Sequence, residues 1–501
     1  MNFAAELLLR GDPGAPALLC GTETIPHLEL HRRAYAVAGW IAAAGVRPGE
    51  AVGLLAENSP FFAEAYLGVL LAGAIAVPLA PELPAYELGT LLAEAEARRL
   101  LASDRQLRRL SDNGQLPGLP CPVADESEVR NSPSSRHSVP VDPRRGIAAL
   151  MYTSGSTGRP KAVVVTHGNL ACNTQDITTY LGLTHADRAM LVLPLHYCYG
   201  LSVLLTHLAA GASVVLNNQF AYPQTVLDDL SRRACTGLAG VPSTFQILLR
   251  KSRFKQAAPP SLRWLQQAGG KLPDPFIQEI LAAFPTVRFF TMYGQTEATA
   301  RLSYLPPEEL PRRLGSIGRG LPSTRLQLLR PDGTEIPHGS PEIGEIVASG
   351  DNITLGYWKD PQETARYFRQ GRLHTGDLAR TDADGFFYLV EREREMIKAG
   401  GNRVSAKLVE DVLCEIPAVV EAAVVAMPHE LLGEAIAAFV TLTREAVGIT
   451  EETLRHHCRR RLAAYQVPEL IRVLPRLPHH PNGKIHKAQL RQSLTPAPRS
   501  P

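Results

Sequence analysis

The densest group of chemically capable side chains is the run from Tyr152 to Lys161, YTSGSTGRPK, which follows the apolar run IAALM. Gly155 and Gly158 let the backbone bring its N–H groups close to an anion, because a larger side chain would block the approach. Four hydroxyl side chains add further donors: Thr153, Ser154, Ser156 and Thr157. Lys161 adds a positive charge for terminal phosphates. The spacing differs from a Walker A loop, since Pro160 stands where that motif continues into a helix. The run predicts a loop that binds nucleotide phosphates, and the alternative is an ordinary Ser/Gly surface turn.

This run, together with the AVVVTHGNL that follows it, resembles the phosphate loop of the adenylate-forming superfamily. Members of that superfamily include acyl- and aryl-CoA synthetases, the adenylation domains of nonribosomal peptide synthetases, and luciferases. Further motifs follow in the family's order over nearly the whole chain, and the ordered set is far more specific than any one motif. The resemblance implies that ATP and a carboxylic acid are converted to an acyl-adenylate and pyrophosphate, after which a thiol takes the acyl group.

A second motif, MYGQTE, follows an apolar run that predicts a buried strand. A glutamate at the mouth of a strand can hold Mg²⁺ against triphosphate oxygens. The resemblance implies Glu297 as the metal ligand and Thr296 as a catalytic residue that contacts a phosphate. It also implies that Met292, Tyr293 and Gly294 bind the nucleotide. On its own, Glu297 would be interpreted as a solvated turn residue.

Two further segments resemble the family's ribose and adenine sites. Asp377, in LHTGD, matches the ribose-binding aspartate of the family. One carboxylate can accept hydrogen bonds from both vicinal hydroxyls of ribose. The alternative is an aspartate that caps a turn. Arg392 matches a second contact to ribose or phosphate. Gly269 and Gly270 resemble the adenine-side strand, where small residues let a flat base lie against the backbone. Lys271 follows them where the family often has proline.

The turn PNG near the C-terminus places Lys484 on a loop. In the family this catalytic lysine lies between the substrate carboxylate and the α-phosphate, where a cation relieves the repulsion between two anions. An exposed loop lysine is usually without function, which is the alternative. Lys398 resembles a second catalytic lysine, used after the small domain rotates for thioester formation. The hinge position, usually Asp or Lys in the family, is Arg394 here.

The segment PLHYCYGL aligns with the start of the family's acyl-pocket helix. Members that activate amino acids have an aspartate there for the α-ammonium, whereas this chain has aromatic and thiol side chains. A buried ammonium without an anionic partner would cost about 2–5 kcal/mol. We therefore expect an aliphatic or aryl carboxylic acid and not an α-amino acid. The resemblance implies that Tyr197, Tyr199 and Gly240 bind the acid. Tyr197 stands where related ligases have a gating histidine. We expect Cys198 to be a packed thiol.

The expected cofactors are ATP, Mg²⁺ and coenzyme A. The alternative acceptor is the phosphopantetheine of a separate acyl carrier protein, because no carrier-like segment follows Lys484. The chain is too short for the insertion typical of fatty-acyl-AMP ligases, which favours coenzyme A. A degenerate nucleotide-binding relative without activity is disfavoured by Lys484, Glu297 and Asp377. A luciferase-like oxygenase shares the expected fold, and no residue excludes it.

Alternating strand and helix patterns must position these motifs. AVGLLA, a helix over 60–72 and AIAVPLA form one strand–helix–strand unit, and similar alternation predicts an α/β fold with largely parallel strands. Residues 116–145 are rich in proline, serine and charge, which predicts a surface linker between two α/β lobes. Short strands after Gly344 predict a small β-barrel-like subdomain. We expect an adenylation core over 1–391 and a smaller, mobile α+β domain over 392–501.

The composition limits the remaining possibilities. The 501 residues carry a net charge of +3, which is too balanced to favour nucleic acid or an anionic membrane. Seven dispersed cysteines without a C-x-x-C pair indicate reduced thiols. The N-terminus lacks a signal-peptide pattern and no stretch resembles a membrane span, so we expect a soluble cytoplasmic enzyme.

Overall fold

The computed structural model describes residues 2–133, 138–153, 160–257, 259–390, 396–399, 402–429, 433–446, 448–480 and 483–494. Its strands, in chain order, are β1 (Pro16–Cys20), β2 (Glu23–Pro26), β3 (Ala51–Leu55), β4 (Ile75–Leu79), β5 (Arg99–Ala102), β6 (Val123–Asp125), β7 (Ile147–Thr153), β8 (Lys161–Thr166), β9 (Arg188–Leu191), β10 (Ser213–Leu216), β11 (Gly237–Gly240), β12 (Trp264–Gln267), β13 (Arg288–Tyr293), β14 (Ser303–Leu305), β15 (Ser316–Gly320), β16 (Thr324–Leu329), β17 (Gly344–Gly350), β18 (Phe368–Arg369), β19 (Arg372–Thr381), β20 (Phe387–Val390), β21 (Ile397–Ala399), β22 (Asn402–Val404), β23 (Val419–His429), β24 (Gly433–Leu442) and β25 (Leu470–Val473).

The helices alternate with these strands over most of the chain. They are α1 (Phe3–Leu7), α2 (His27–Ala43), α3 (Pro60–Leu71), α4 (Ala85–Glu94), α5 (Asp104–Asp112), α6 (Glu126–Arg130), α7 (His167–Leu181), α8 (Cys198–Ala209), α9 (Pro223–Arg232), α10 (Pro242–Lys251), α11 (Phe254–Ala257), α12 (Asp274–Ala283), α13 (Pro361–Tyr367), α14 (Ala406–Cys414), α15 (Glu451–Arg461) and α16 (Lys487–Gln492). No helix in the described ranges is both long and apolar enough to cross a bilayer.

The first lobe is built on a six-stranded sheet in the order β6-β5-β3-β4-β7-β8. All neighbouring pairs are parallel except β7 and β8. Helix α3 shows why the connections are helical: Ser59 caps it by accepting from the Phe62 N–H, and Pro60 occupies its first turn. Every residue of α3 is buried, as expected for a helix that is apolar on all sides.

The second lobe continues through a larger sheet in the order β16-β17-β19-β20-β15-β14-β13-β12-β11-β9-β10-β1-β2. Its central strands, from β1 to β13, are parallel, and helices α8 to α12 accompany them. From β13 to β16 each neighbouring pair is antiparallel. Parallel strands bring their carboxyl ends to one edge of the sheet, where ligand sites of such folds lie.

The small C-terminal domain has a five-stranded sheet, β22-β21-β24-β23 with β25 beside β24, and helices α14 and α15. Helix α14 packs against both β23 and α12, and α10 contacts β23. Phe276 and Ile277 of α12 therefore share one hydrophobic cluster with Val409 and Leu413 of α14. The apolar core of the small domain is continuous with that of the large domain.

The α/β fold class is confirmed, and two expectations need correction. The predicted linker contains β6 and α6, because Leu100 to Ala102 pair with Val123 to Asp125 at the edge of the first sheet. The β-rich subdomain is present, but its described strands run in an open order that continues the large sheet and do not close into a barrel. The boundary between residues 391 and 392 lies outside the described residues and stays a prediction.

Candidate active site

A cleft of about 1350 Å³ lies where the carboxyl ends of β12 and β13 meet β7, the antiparallel strands and the small domain. This volume exceeds the roughly 300–1,000 Å³ typical of small-molecule pockets, so a nucleotide and an acid fit together. Both domains contribute lining residues, among them Thr153, Gly269, Tyr293 and Lys484. The cleft brings together motifs that are more than 300 residues apart in the chain.

Thr153 and Lys161 mark the two ends of the predicted phosphate loop, and both line the cleft. The residues between them that we expect to bind phosphate lie outside the described residues: Ser154, Gly155, Ser156, Thr157 and Gly158. The Lys161 ammonium forms an ion pair with Glu363 and lies 5.5 Å from the centroid of the Tyr357 ring. The hydrogen bond from Lys161 lowers the pKa of the Glu363 carboxyl. The Glu363 carboxylate thus occupies the side of Lys161 at which the sequence predicts a phosphate.

Gly269, Gly270 and Lys271 line the cleft directly after β12. Gly269 has φ +89, a left-handed backbone conformation that favours glycine. The side chain of Gln267 donates to the Gly270 carbonyl at 2.7 Å and supports this turn. Lys271 bonds to Asp411 of α14 at 2.6 Å, which joins the adenine-side strand to the small domain.

Met292, Tyr293 and Gly294 form the opposite wall of the cleft at the end of β13. The Tyr293 hydroxyl donates to Asp377 Oδ2 at 2.7 Å, so the predicted adenine and ribose residues are adjacent. A Cβ at Gly294 would lie 2.0 Å from the Ala300 carbonyl oxygen, which explains the need for glycine there.

Among the described residues, four buried polar atoms of cleft-lining residues have no hydrogen-bond partner: Gln267 Oε1, Thr291 Oγ1, Gln295 Nε2 and Asp274 Oδ1, the last of which lies 3.6 Å from Lys271 Nζ. Buried polar groups are rarely left unsatisfied, and each one calls for an explanation. The donors and acceptors of a nucleotide base and ribose would satisfy these atoms. The cleft therefore fits a nucleotide in chemistry as well as in volume.

Glu297 lines the cleft beside Thr296, and its carboxylate accepts from the Tyr357 hydroxyl at 2.7 Å. Its carbonyl oxygen accepts from the backbone N–H and the hydroxyl of Thr354, at 3.0 and 2.9 Å. Burial, followed by the neighbouring Glu297 charge, raises the pKa of Tyr357, so Tyr357 stays a donor. A fixed carboxylate oxygen is the kind of ligand that Mg²⁺ takes alongside phosphate oxygens, so the residues present fit that metal.

Lys484 enters the cleft from the small domain. The Ser243 hydroxyl of α10 donates to the Gly483 carbonyl at 2.7 Å and fastens the lysine loop to the large domain. The loop is closed by a bond from His480 N–H to the Lys484 carbonyl at 2.8 Å. Burial lowers the pKa of the Lys484 ammonium, and the charges of Asp377 and Glu297 partly oppose this shift. A cation from one domain thus lies within electrostatic reach of the predicted ribose and metal ligands of the other.

The three residues expected to bind the acid divide into two groups. Tyr197 lines the cleft, whereas Tyr199 and Gly240 are buried behind its wall, with the Tyr199 hydroxyl donating to the Gln266 carbonyl at 3.1 Å. Cys198 is buried, its sulfur lies 3.4 Å from Thr296 Oγ1, and burial raises its pKa. The thiol is therefore packed and protonated, as expected from the sequence.

Of the predicted residues that the structure describes, Lys398 is not brought to the cleft. Lys398 lies on the exposed face of β21, and its backbone N–H donates to Glu434 Oε2 at 2.7 Å. Arg392, like the predicted hinge Arg394, lies outside the described residues. Their roles stay predictions.

Residues that sequence reasoning missed include Tyr357, Glu363 and Asp411, which bond to predicted residues, and Ser243, which bonds to Gly483 beside Lys484. Glu363 lies about 200 residues from Lys161, and Asp411 lies 140 residues from Lys271. Only the fold makes these neighbours, and one sequence carries no signal for such pairs. The presence of Lys271, where the family often has proline, was the one indication in the sequence of a contact at this position.

Comparisons with known proteins identify the family of this chain. A family model described as AMP-binding enzyme matches residues 7–358, and one described as AMP-binding enzyme C-terminal domain matches residues 408–484. A feruloyl-CoA synthase from an Amycolatopsis species is 34% identical over 96% of both chains. A sulfoacetate–CoA ligase from Cupriavidus necator is 34% identical over 90% of this chain and 88% of its own. The crystal structure of an anthranilate CoA ligase with anthranoyl-AMP superposes with a TM-score of 0.89 at 28% identity, covering 99% of this chain and 97% of that one.

A two-domain α/β chain whose nucleotide-sized cleft receives a lysine from the small domain is of the adenylate-forming class. The chain belongs to the AMP-binding enzyme family. It is an acid–thiol ligase that activates a carboxylic acid with ATP.

Proposed function

We propose that Lys484 and the nucleotide site of the large domain carry out the first half-reaction together. The triphosphate lies along Thr153 and Lys161, the ribose hydroxyls bond to Asp377, and Glu297 holds Mg²⁺. When bound, Mg²⁺ neutralises charge on the phosphate oxygens. The acid's carboxylate attacks the α-phosphorus, pyrophosphate leaves, and the acyl-adenylate remains in the cleft.

One observation carries this proposal: the buried ammonium of Lys484 enters the cleft from the small domain and faces the charges of Asp377 and Glu297. Two anions must approach one another in the attack, and a fixed cation at both relieves their repulsion as charge develops. The Ser243–Gly483 bond, at 2.7 Å, holds the cation in place before the reaction starts.

Lys398 supports a proposal for the second half-reaction. It lies on the exposed face of β21, outside the cleft that contains Lys484. A rotation of the small domain about Arg394 would exchange the two lysines, which is the arrangement that the family resemblance implies. Coenzyme A is the proposed acceptor, in line with the names of the relatives. Unpaired thiols at all seven cysteines support a reducing compartment, and we place the enzyme in the cytoplasm.

We propose an aliphatic or aryl acid, not an α-amino acid, as the substrate. The segment that would carry an aspartate for an α-ammonium presents Tyr197 and the protonated Cys198 thiol. His196 also lines this wall, and burial lowers its pKa to about 4, so it adds no charge at neutral pH. The relatives named as a feruloyl-CoA synthase, a sulfoacetate–CoA ligase and an anthranilate CoA ligase span both aliphatic and aryl acids.

Acid-dependent release of pyrophosphate across a panel of aliphatic, aryl and amino acids tests the proposal. Lys484→Ala should lower this rate about a hundredfold or more while nucleotide affinity, measured by calorimetry, stays nearly intact. Lys487→Ala is the matched control, because Lys487 pairs with Glu410 at 2.6 Å within the small domain and does not line the cleft. Equal losses of rate and of nucleotide affinity in Lys484→Ala would assign Lys484 a structural role.

Assays with coenzyme A and with a pantetheinylated carrier protein distinguish the two acceptors. Formation of a thioester on the carrier, but not on coenzyme A, would overturn the choice of acceptor and leave the first half-reaction standing. Nucleotide binding without pyrophosphate release for any acid would instead indicate a non-catalytic relative.

A further inference from the structure

Arg301 is among the largest side chains that the fold buries almost completely, with 1% of its surface exposed. Its backbone is fully paired: the N–H donates to Asn173 Oδ1 at 3.2 Å, and the carbonyl accepts from Asn173 and Asn352 at 2.9 and 3.0 Å. Its side chain is different. Nε and Nη2 are both buried and have no hydrogen-bond partner in the part of the chain that the structure describes.

These two nitrogens form the edge of a guanidinium that pairs side-on with an oxyanion through two parallel hydrogen bonds. Tyr180 and Tyr199 are hydrogen-bonding neighbours of the guanidinium, but both are neutral. A buried cation without an anionic partner is costly, and proteins retain one only where something compensates it. No described carboxylate bonds to the Nε–Nη2 edge, so this edge is available to an anion of a ligand.

The position of Arg301 assigns that ligand to the acid site. Its guanidinium carbon lies 4.8 Å from the centroid of the Tyr199 ring, which is one of the expected acid-binding residues. A Cβ on the cleft-lining Gly294 would lie 2.9 Å from the Arg301 Cα. The buried Cys198 thiol is within electrostatic reach of both Lys484 and Arg301. Lys484 and Arg301 therefore both lie near the buried Cys198, and Lys484 lies on the side that faces the cleft.

The described surroundings of Arg301 are rich in donors, and no carboxylate among the described residues bonds to the Nε–Nη2 edge. The Tyr180 hydroxyl donates to Met292 Sδ at 3.0 Å, and a thioether is a weak acceptor. Burial raises the pKa of both Tyr180 and Tyr199 and keeps them protonated, while Arg301 acts in the opposite direction. Gln266 Oε1 is also buried without a partner, and an amide can turn to present either its oxygen or its NH₂ group.

We propose that the acid activated by this enzyme carries a second anionic group, a carboxylate or a sulfonate, which pairs with the Nε–Nη2 edge of Arg301. Arg301 is then a specificity-determining residue, and this inference rests on the proposed acid-activating function. An acid with one charge leaves the guanidinium unpaired in the complex. The site therefore selects against it, as sites built around a buried polar partner do.

Matched acids test the proposal through acid-dependent pyrophosphate release. Succinate is compared with butyrate, and terephthalate with 4-methylbenzoate, since each pair differs only in the remote group. The wild-type enzyme should prefer the dianion of a pair in kcat/KM. In Arg301→Met that preference should fall about thirtyfold or more, because a buried charge pair is lost. Arg105→Met, which removes an exposed arginine on α5, is the control and should keep the preference.

Thermal unfolding without ligands separates specificity from a structural role. Arg301→Met should keep or raise the melting temperature, because it removes an uncompensated buried charge. A lower melting temperature together with equal losses for both acids of a pair would make Arg301 structural and overturn the inference. A wild-type preference for butyrate and 4-methylbenzoate would also overturn it, with the proposed function intact. No pyrophosphate release with any acid would instead refute the proposed function itself.

Discussion

The ion pair between Lys271 and Asp411 links the nucleotide site to the small domain, and Lys271→Met tests its importance. The two charged atoms lie 2.6 Å apart, and the side chains are 32% and 23% exposed. Exposed pairs contribute about 0–1 kcal/mol, whereas breaking a fully buried pair costs about 3–5 kcal/mol. An intermediate value of about 1–2 kcal/mol is expected for this half-buried pair, which corresponds to a factor of about 5–30.

Kinetics of acid-dependent pyrophosphate release measure this factor, because the pair helps to hold the small domain where Lys484 enters the cleft. We expect kcat/KM to fall about 5–30-fold in Lys271→Met. Asp411→Asn should be milder, since Lys271 keeps Asp274 at 3.6 Å as a second partner. In the double variant the two losses should not add, because each removes the same interaction. Lys255→Met is the matched control: its pair with Glu279, at 2.7 Å, lies within the large domain.

The pH dependence provides the sharper test. Burial raises the pKa of Asp411 to about 6, although Lys271 opposes the shift. Without Lys271 this pKa should rise further. A buried carboxylate without a partner is costly only when ionised, so the deficit of Lys271→Met should be complete well above pH 6 and disappear as pH falls through the raised pKa. A deficit that does not change between pH 5.5 and 8.5, or strictly additive losses in the double variant, would refute the reasoning.

Three further predictions concern single positions. Asp377→Ala should raise the KM for ATP about tenfold or more, because a charged acceptor for the ribose hydroxyls is lost; steady-state kinetics with an unchanged KM would remove Asp377 from that role. Glu297→Gln should raise the Mg²⁺ concentration needed for half-maximal rate about tenfold, in a titration at fixed ATP; an unchanged midpoint would contradict the assignment. Gly318→Ala should lower the free energy of unfolding by about 3 kcal/mol or more, since φ is +83 and the added Cβ would lie 1.8 Å from the Tyr304 carbonyl oxygen. Gly89→Ala in α4 is its control, with open space around the added Cβ, and should stabilise slightly in the same denaturation experiment.

Local patterns were sufficient for much of the fold. The apolar pattern that predicts a helix over 60–72 gives the bounds of α3 to within one residue. The segment 116–145 was interpreted wrongly, because β6 has only three residues and owes its strand conformation to pairing with β5. The composition of such an edge segment reflects its polar, exposed surface, and it does not indicate that the segment pairs with a neighbouring strand.

The site residues show the same difference between local sequence patterns, which could be predicted, and tertiary contacts, which could not. Motifs that are continuous in sequence, such as those that contain Thr153, Glu297 and Lys484, reach the cleft as expected. Partners that come from distant strands and helices, such as Tyr357 for Glu297, were beyond reach because their proximity is a product of tertiary packing. Arg301 was missed for another reason: an arginine in a sequence is normally assigned to the surface, and only its burial with an unpaired Nε–Nη2 edge among the described residues makes it informative.

The ion pair between Lys161 and Glu363 has a consequence for turnover. Since Glu363 already neutralises the lysine, an arriving triphosphate exchanges one anion for another and does not meet an uncompensated cation. The exchange moderates the affinity for ATP, and it runs in reverse when pyrophosphate departs, because Glu363 can take its place on Lys161. Under the proposed function, Glu363 would thus be an internal competitor for the leaving pyrophosphate on Lys161 and would favour its release.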